Sequence, residues 1–218
     1  MKYSAVFFDF DGTVADTLRN ITDAFNHTMR HFGRQEFTTE ELKRHLGYGV
    51  DYLMHHMLPE ASEEEIREIL VYYRPYYAAH ATENVHPYPD ILPMLERLHR
   101  DGLPMAIVSN KPDGAVQPVS EIYFNETVAL SLGETPGLAR KPDSDMLVYT
   151  ADKLQVDLSS CLYVGDTEVD IRTARNAGID CFCVTWGFRT REELIQAGAQ
   201  RIADTPEELA EMIENSPQ

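Results

Sequence analysis

The stretch Asp9-Phe10-Asp11-Gly12-Thr13-Val14-Ala15-Asp16-Thr17 decides the reading of this chain. It follows the apolar run Val6-Phe7-Phe8, which reads as a buried strand. Two carboxylates one residue apart therefore stand where a strand ends. Side chains alternate along a strand, so Asp9 and Asp11 can face one side while Phe10 packs on the other. Gly12 lets the backbone turn away and approach a ligand closely. Acids this near repel unless a cation or a shared proton intervenes. The pattern fits a nucleophile or metal ligand next to a proton carrier. The plain alternative, a strand end with a solvated Asp-Gly turn, does not explain why Asp9 sits inside an apolar run.

Working outward, strand-like runs recur at Tyr3–Phe8, Met105–Val108, Thr127–Leu130, Cys161–Val164, Cys181–Thr185 and, weakly, Gln200–Ala203. Amphipathic helices are expected at Asp90–Arg100, Ser144–Leu154, Glu168–Asn176 and Thr205–Ile213, with Pro206 in the first turn of the last. Alternating strand and helix predicts an α/β fold: a doubly wound, mainly parallel, Rossmann-like sheet covered on both faces. Between Asp16 and Glu83 the alternation fails. Ile21, Ala24, Phe25, Thr28, Met29 and Phe32 repeat at helical spacing, and Thr38-x-x-Glu41 and Ser62-x-x-Glu65 read as capping boxes. Pro75 is expected to kink or split the last of these helices. Gly114 and Pro118 are expected to interrupt Asp113–Ser120. The organisation expected is a core of residues 1–15 and 84–218 with an α-helical cap, residues 16–83, inserted between.

The 218 residues include 36 acids against 19 bases, a net charge of −17. That balance disfavours a nucleic-acid partner, and an anionic substrate would need a few focused cations. Cys161, Cys181 and Cys183 lie in apolar runs without the spacing of a disulfide framework, and the C-x-C lacks a second Cys/His pair, so core thiols are expected. There is no apolar run of about 18 residues and no charged-then-apolar leader, so no membrane partner is expected and the cytoplasm is the default setting. The oligomeric state is left open.

Three further segments place polar residues at strand ends or helix starts. Ser109-Asn110-Lys111-Pro112 follows the run Met105–Val108. Ligands of open α/β sheets bind beyond the carboxyl ends of strands, where Ser109 could donate to a phosphoryl oxygen; Ser-Asn is also ordinary turn chemistry. Arg140-Lys141-Pro142-Asp143 precedes a helix, where a Lys is commonly a solvated cation. Gly165-Asp166-Thr167-Glu168-Val169-Asp170 follows the run Cys161–Val164, and its acids read plainly as an N-cap and a first-turn acid.

Together the four segments resemble the signatures of the haloacid dehalogenase-like hydrolases. Asp9–Thr17 is similar to Asp-x-Asp-Gly-Thr-hydrophobic-x-Asp-Ser/Thr, Ser109 begins a Ser/Thr-Asn-Lys-Pro run, Lys141 opens a Lys-Pro, and Asp166 and Asp170 complete Gly-Asp-x-x-x-Asp. One subgroup inserts a helical cap after the first signature, as the layout here suggests. The resemblance implies an Mg2+-dependent phosphatase working on a small phosphorylated metabolite through an aspartyl-phosphate. Asp9 would be the nucleophile, and Asp11 would protonate the leaving oxygen and then activate water. Lys141 would neutralise charge. Mg2+ would be held by Asp9, Asp11 through its carbonyl, and Asp166, with Asp170 in support, and oxygen-only ligands suit Mg2+. Gly12, Thr13, Ser109 and Asn110 would surround the phosphoryl oxygens. An acid at Asp11 argues against carbon–halogen cleavage, which needs no leaving-group acid. The family often has Pro at the position of Ser144.

The segment Leu46-Gly47-Tyr48-Gly49-Val50-Asp51 resembles the cap of phosphoglycolate phosphatases, as do Tyr76-Tyr77-x-x-His80 and the Pro87-Tyr88 segment. That likeness implies 2-phosphoglycolate as the first-choice substrate. Gly47, Tyr48 and Gly49 would reach across the site, and Arg44 is either the reader of a substrate carboxylate or a cap-surface cation. His45, His55, His56 and His80 are read as surface or packing residues. Trp186-Gly187-Phe188-Arg189 is read as a loop packing an aromatic, with a wall of the site as the alternative. Other readings of the same scaffold are a phosphosugar mutase of the β-phosphoglucomutase type, a phosphatase for another small phosphometabolite or pyrophosphate, and a non-catalytic binding protein. Intact Asp9, Asp11, Ser109, Lys141 and Asp166 count against the last.

Overall fold

A parallel sheet built around the N-terminal strand positions every residue of the first signature. The structure is a computed structural model describing residues 2–216. In chain order it begins β1 (Ala5–Phe8), β2 (Ala15–Asp16), α1 (Leu18–His31), α2 (Thr39–Lys43), α3 (Val50–Met57), α4 (Glu63–Ala79) and β3 (His86–Pro87). It continues α5 (Ile91–Arg100), β4 (Met105–Pro112), α6 (Asp113–Tyr123), β5 (Leu130–Glu134), α7 (Asp145–Leu154) and β6 (Cys161–Gly165). It closes with α8 (Glu168–Ala177), β7 (Asp180–Val184), α9 (Arg191–Ala197), β8 (Ile202–Ala203) and α10 (Pro206–Glu214).

The main sheet has the order β5-β4-β1-β6-β7-β8, and every neighbouring pair is parallel. All four residues of β1 are buried, as a strand covered on both faces requires. Val6, Phe8, Ile107 and Val164 pack with the buried faces of α5 and α10 on one side. Ala5, Phe7, Val108 and Tyr163 pack with α7 and Ala174 of α8 on the other. The doubly wound α/β architecture expected from the sequence is therefore the one observed.

Helices α1–α4 lie between β2 and β3, which pair with each other as a separate antiparallel ribbon, Ala15 opposite Pro87 and Asp16 opposite His86. Their apolar faces form a cluster of their own, from Ile21 to Ala81, joined from the rest of the chain by Ala115 and Phe188. Both capping boxes form: Thr38 with Glu41, and Ser62 with Glu65. His80 stacks on Tyr76 at 4.0 Å and His56 on Tyr52 at 3.7 Å, so these histidines do pack. The cysteines are free thiols, with Cys161 and Cys183 buried. No helix among the described residues is long and apolar enough to cross a membrane.

Three local expectations are corrected. The strand expected at Thr127–Leu130 lies at Leu130–Glu134, because the N–H groups of Thr127 and Val128 both donate to the Phe124 carbonyl and close the end of α6. Helix α6 runs unbroken through Gly114 and Pro118. One proline removes one ladder bond, and the full burial of Ala115, Val116 and Val119 outweighs that loss. Helix α4 is likewise not split at Pro75. Pro75 and Val71, whose carbonyl loses its N–H partner, are both exposed, so water can serve that carbonyl.

Candidate active site

Asp9 continues the β1 ladder by one residue, its N–H donating to the Val164 carbonyl at 2.8 Å. The chain then turns sharply, with the N–H groups of Thr13, Val14 and Ala15 all converging on the Phe10 carbonyl. Gly12 takes φ 83° there, and a side chain at this point would collide with the Asp166 carboxylate. The turn leaves Asp9 buried and Asp11 partly exposed. Asp9 Oδ1 accepts from the Phe10 N–H at 2.7 Å and from Lys141 Nζ at 2.8 Å. Both contacts go to Oδ1, so Oδ2 is the oxygen free to act.

Strand β4 delivers Ser109, Asn110 and Lys111, all buried, through a stretch where its register with β5 shifts. The Ser109 Oγ accepts from the Lys111 N–H at 3.2 Å, which leaves its own proton available. Asn110 uses its amide otherwise. Its Oδ1 accepts from the Lys141 N–H at 2.9 Å, and its Nδ2 donates to the carbonyls of Lys141 at 2.9 Å and Gly47 at 3.0 Å. The side chain thus fastens the lysine loop and the cap loop to β4.

Lys141 Nζ donates to Asp170 Oδ1 at 2.9 Å and to the Tyr163 hydroxyl at 2.8 Å, and forms an ion pair with Asp9 Oδ1 at 2.8 Å. The Asp170 Oδ2 accepts from the N–H groups of Asp166 and Thr167 and from the Thr167 hydroxyl, closing the first turn of α8. Asp166 accepts from the Thr13 hydroxyl at 3.0 Å and from the Phe188 N–H at 2.7 Å. Ligand atoms of Asp9, Asp166 and Asp170 lie within 4.8 Å of one another.

Three carboxylates against one ammonium leave two negative charges in a buried cluster, which is the charge a divalent cation neutralises. Burial pushes the Asp9 carboxyl up to about 7 despite Lys141, with Asp170 and Asp11 adding to the rise. Burial, then the charges of Asp170 and Asp9, hold Asp166 well above the usual carboxylate range. Burial would lower Lys141, but Asp170 and Asp9 outweigh it and hold its proton more tightly than an ordinary lysine does. The donor set is all oxygen, as a hard divalent cation prefers. The residues present therefore fit such a cation. Asp9 and Asp166 are the members with capacity to spare.

Above the cluster lies a cavity of about 490 Å3, including the space open to solvent at its mouth. Asp9, Asp11, Ser109, Asn110, Lys111 and Pro112 line its core side. Ile21, Leu46, Gly47, Gly49, Val50, Leu53, Tyr73 and Tyr77 line its cap side, with Phe188 between. Besides the buried Lys141, Asp166 and Asp170, four expected site residues lie outside the lining. Arg44 is exposed and outside the lining, since its side chain leaves the end of α2 before the chain turns inward at Gly47, φ 112°. The Tyr48 ring stacks on Tyr52 at 4.4 Å, and its hydroxyl accepts from Arg172 at 3.0 Å, so it points along the surface. The Gly12 and Thr13 N–H groups are taken by the carbonyls of Ala15 and Phe10, so these residues shape the turn behind the cavity.

Sequence reasoning missed Lys111 and Tyr73 as lining residues and reached Tyr77 only through the likeness of Tyr76-Tyr77-x-x-His80. The run Ser109-Asn110-Lys111 already carried a signal, because residues 109 and 111 share a side on an extended strand. Phe188 does line a wall, and the loop before it is built closely into the site. Trp186 Nε1 donates to the Thr13 carbonyl at 2.9 Å. A side chain at Gly187 would collide with the Gly12 carbonyl and the Asp166 carboxylate. Arg189 pairs with Glu168 and donates to the carbonyls of Lys43, Arg44 and Leu46, hanging the cap loop from the core.

Comparisons with known proteins agree with this geometry. The chain is 30% identical over 188 residues to a phosphoglycolate phosphatase of Aquifex aeolicus, covering 84% of this chain and 85% of the relative. It is 29% identical over 218 residues to the phosphoglycolate phosphatase of Vibrio parahaemolyticus, covering 94% of each. A solved structure from Lactobacillus delbrueckii subsp. bulgaricus, provisionally named a phosphoglycolate phosphatase, superposes with a TM-score of 0.92 at 36% identity, over 98% of this chain and 99% of that one. Residues 6–184 match the haloacid dehalogenase-like hydrolase family model, a span that takes in most of β1, the inserted helices and Ser109, Lys141 and Asp166. With most of its length matched in this way, the chain belongs to the haloacid dehalogenase-like hydrolases.

Proposed function

We propose that this protein is an Mg2+-dependent phosphatase that hydrolyses a small phosphate monoester through an aspartyl-phosphate, with 2-phosphoglycolate as its first substrate. The observation that carries this reading is the acid at the base of the cavity: Asp9 ion-paired through one oxygen with the buried Lys141, with Asp166 beside it and Asp11 at the rim. The names of the relatives support the choice of substrate. An Mg2+ ion held by the Asp9 and Asp166 carboxylates and the Asp11 carbonyl would supply the charge neutralisation that lets a carboxylate meet a phosphate dianion.

In the first step an Asp9 carboxylate oxygen forms a bond to phosphorus as the bond from phosphorus to the ester oxygen breaks. Asp11 gives its proton to that leaving oxygen. In the second step the Asp11 carboxylate takes a proton from water, whose oxygen attacks the same phosphorus. The bond from phosphorus to Asp9 breaks, and Asp9 and Asp11 return to their starting forms. Ser109 donates to a phosphoryl oxygen, and Lys141 keeps Asp9 oriented. The apolar cap side excludes bulk water during the first transfer.

The test is a panel of phosphate esters assayed with and without Mg2+. Turnover of short esters, lost on chelation, supports the reading. Full activity in excess chelator removes the metal from it. A low rank for 2-phosphoglycolate among hydrolysed esters removes the substrate alone.

A further inference from the structure

Lys111 is the single cation lining the cavity among the described residues. Its side chain is 1% exposed. Nζ donates to Asp11 Oδ1 at 2.9 Å and to the Tyr77 hydroxyl from the cap, and it lies 4.5 Å from the centre of the Tyr77 ring. An ammonium carries three protons, so Asp11 and Tyr77 leave one uncommitted. A buried ammonium is costly unless paired, and here its carboxylate partner is itself partly exposed at the rim.

The phosphoryl end of the cavity already has its cation in Lys141, buried beneath Asp9. Lys111 stands at the other end, against Asp11. The proton carrier must touch the leaving oxygen, so whatever that oxygen is attached to comes within reach of Lys111. Apart from the Tyr73 hydroxyl and the Gly47 and Gly49 backbone, the rest of the cap side offers little to a polar leaving group. Ile21, Leu46, Val50 and Leu53 present hydrocarbon, and hydroxyl-rich sugars would leave their donors unpaired there. In such surroundings one ion pair is worth far more than at the surface.

We propose that Lys111 selects the substrate by binding a carboxylate on the leaving group of a short phosphate ester, with Tyr77 fixing the ammonium from the cap side. This inference rests on the phosphatase reading above and assigns the discrimination to a strand residue of the core in place of Arg44.

Steady-state kinetics of wild type and Lys111→Met with 2-phosphoglycolate and with ethyl phosphate, the same ester carrying a methyl in place of the carboxylate, test it. Wild type should prefer 2-phosphoglycolate. Lys111→Met should lower kcat/KM for that ester about 100-fold, chiefly through KM, and for ethyl phosphate by less than about tenfold. Lys111→Arg, which keeps the charge, should retain part of the preference. Equal losses on both esters, or a wild type indifferent to the carboxylate, would overturn the assignment while leaving the phosphatase reading in place.

If neither ester turns over, 2-phosphoglycolate fails as the substrate while the ester panel still decides the phosphatase reading, and calorimetric titration of wild type and Lys111→Met with the same two esters decides the role of Lys111. Selective loss of 2-phosphoglycolate binding supports Lys111; parallel binding, or none by wild type, overturns it. Should Lys111→Met not fold, Tyr77→Phe takes its place. It should raise KM several-fold for 2-phosphoglycolate and by less than about twofold for ethyl phosphate, since only the hydroxyl's hold on the ammonium is lost. An equal rise on both would overturn the proposal.

Discussion

Lys141 and Asp170 form a 2.9 Å ion pair in which neither side chain is more than 1% exposed. The other Asp170 oxygen is saturated by Asp166, Thr167 and the Thr167 hydroxyl. Asp170 is therefore spent on holding the lysine and the start of α8, although it lies within the acidic cluster. Asp170→Asn should weaken Mg2+ binding only about tenfold, through misplacement of its neighbours. Asp166→Asn should weaken it far more. Calorimetric titration with Mg2+ ranks the two, and the reverse order would make Asp170 the direct ligand.

Asp9→Asn should lower turnover of any phosphate ester by at least about 10^4-fold, because an amide cannot form the phosphoryl-enzyme. The metal-free variant should melt no lower than wild type, since a neutral side chain removes one buried charge from a cluster with an acid excess. Near-normal activity in a pure, folded variant would end the nucleophile assignment.

The Asp9 carboxyl, raised from 3.8 to about 7, and Asp166, raised in the same direction, make the metal-free fold sensitive to pH. A raised folded pKa means the native state takes up protons that the unfolded chain does not. The penalty for ionising these acids is full above the folded pKa and absent below the unfolded one. The metal-free protein should gain stability as pH falls from about 8 toward 5, with Asp9 contributing on the order of 2–3 kcal/mol across that window. Saturating Mg2+ should flatten that slope. Melting curves at several pH values, with chelator and with Mg2+, check both statements; stability rising with pH in chelator would contradict them.

Gly187→Ala should damage the site from outside the cavity. The new methyl meets the Gly12 carbonyl and the Asp166 carboxylate, and the first of these belongs to the backbone of the signature turn. Destabilisation of about 1–3 kcal/mol is expected, with weaker Mg2+ binding. A melting temperature and metal affinity equal to wild type would show that the loop has room the structure does not indicate.

Asp51 accepts from Arg74 at 2.7 Å and from Arg140 at 2.8 Å, and Arg74 also reaches Glu134 at 3.1 Å. This quartet ties α3 and α4 to the residue preceding Lys141. Its members are part-exposed, so Asp51→Asn should cost less than about 1 kcal/mol in stability. It should, however, make kcat/KM less sensitive to ionic strength, because a screened cross-link has been removed. An unchanged salt profile would show that the quartet has no part in catalysis.

The acidic cluster was legible in the sequence because Asp9 and Asp166 directly follow strands. Asp9 and Asp11 announce themselves by alternation, and Asp166 by following the apolar run Cys161–Val164. The place of Lys111 in the cavity was not legible. Arg44 ends α2 and Lys111 lies on β4, and only tertiary packing decides that Arg44 is exposed while Lys111 turns inward under Tyr77. Strand β5 was misplaced because Leu130-Ser131-Leu132-Gly133-Glu134 is only half apolar, whereas Thr127 and Val128 look like strand but cap a helix. Pro75 and Pro118 were over-read for the same reason: local propensity is a weak prior once an apolar face is buried.

The central place of β1 bears on how the protein is made. β1 pairs with β4 about a hundred residues later and with β6 later still, Phe8 lying opposite Ile107 and Val164. At a translation rate of about 5–20 residues per second, β1 waits roughly 10–30 s for its second neighbour. The inserted helices need no such partner, because their apolar faces meet one another between residues 21 and 81. They can condense while the strand leading to Asp9 is still unpaired, so the apolar surface left waiting for its partners is that of β1 and not that of the helices.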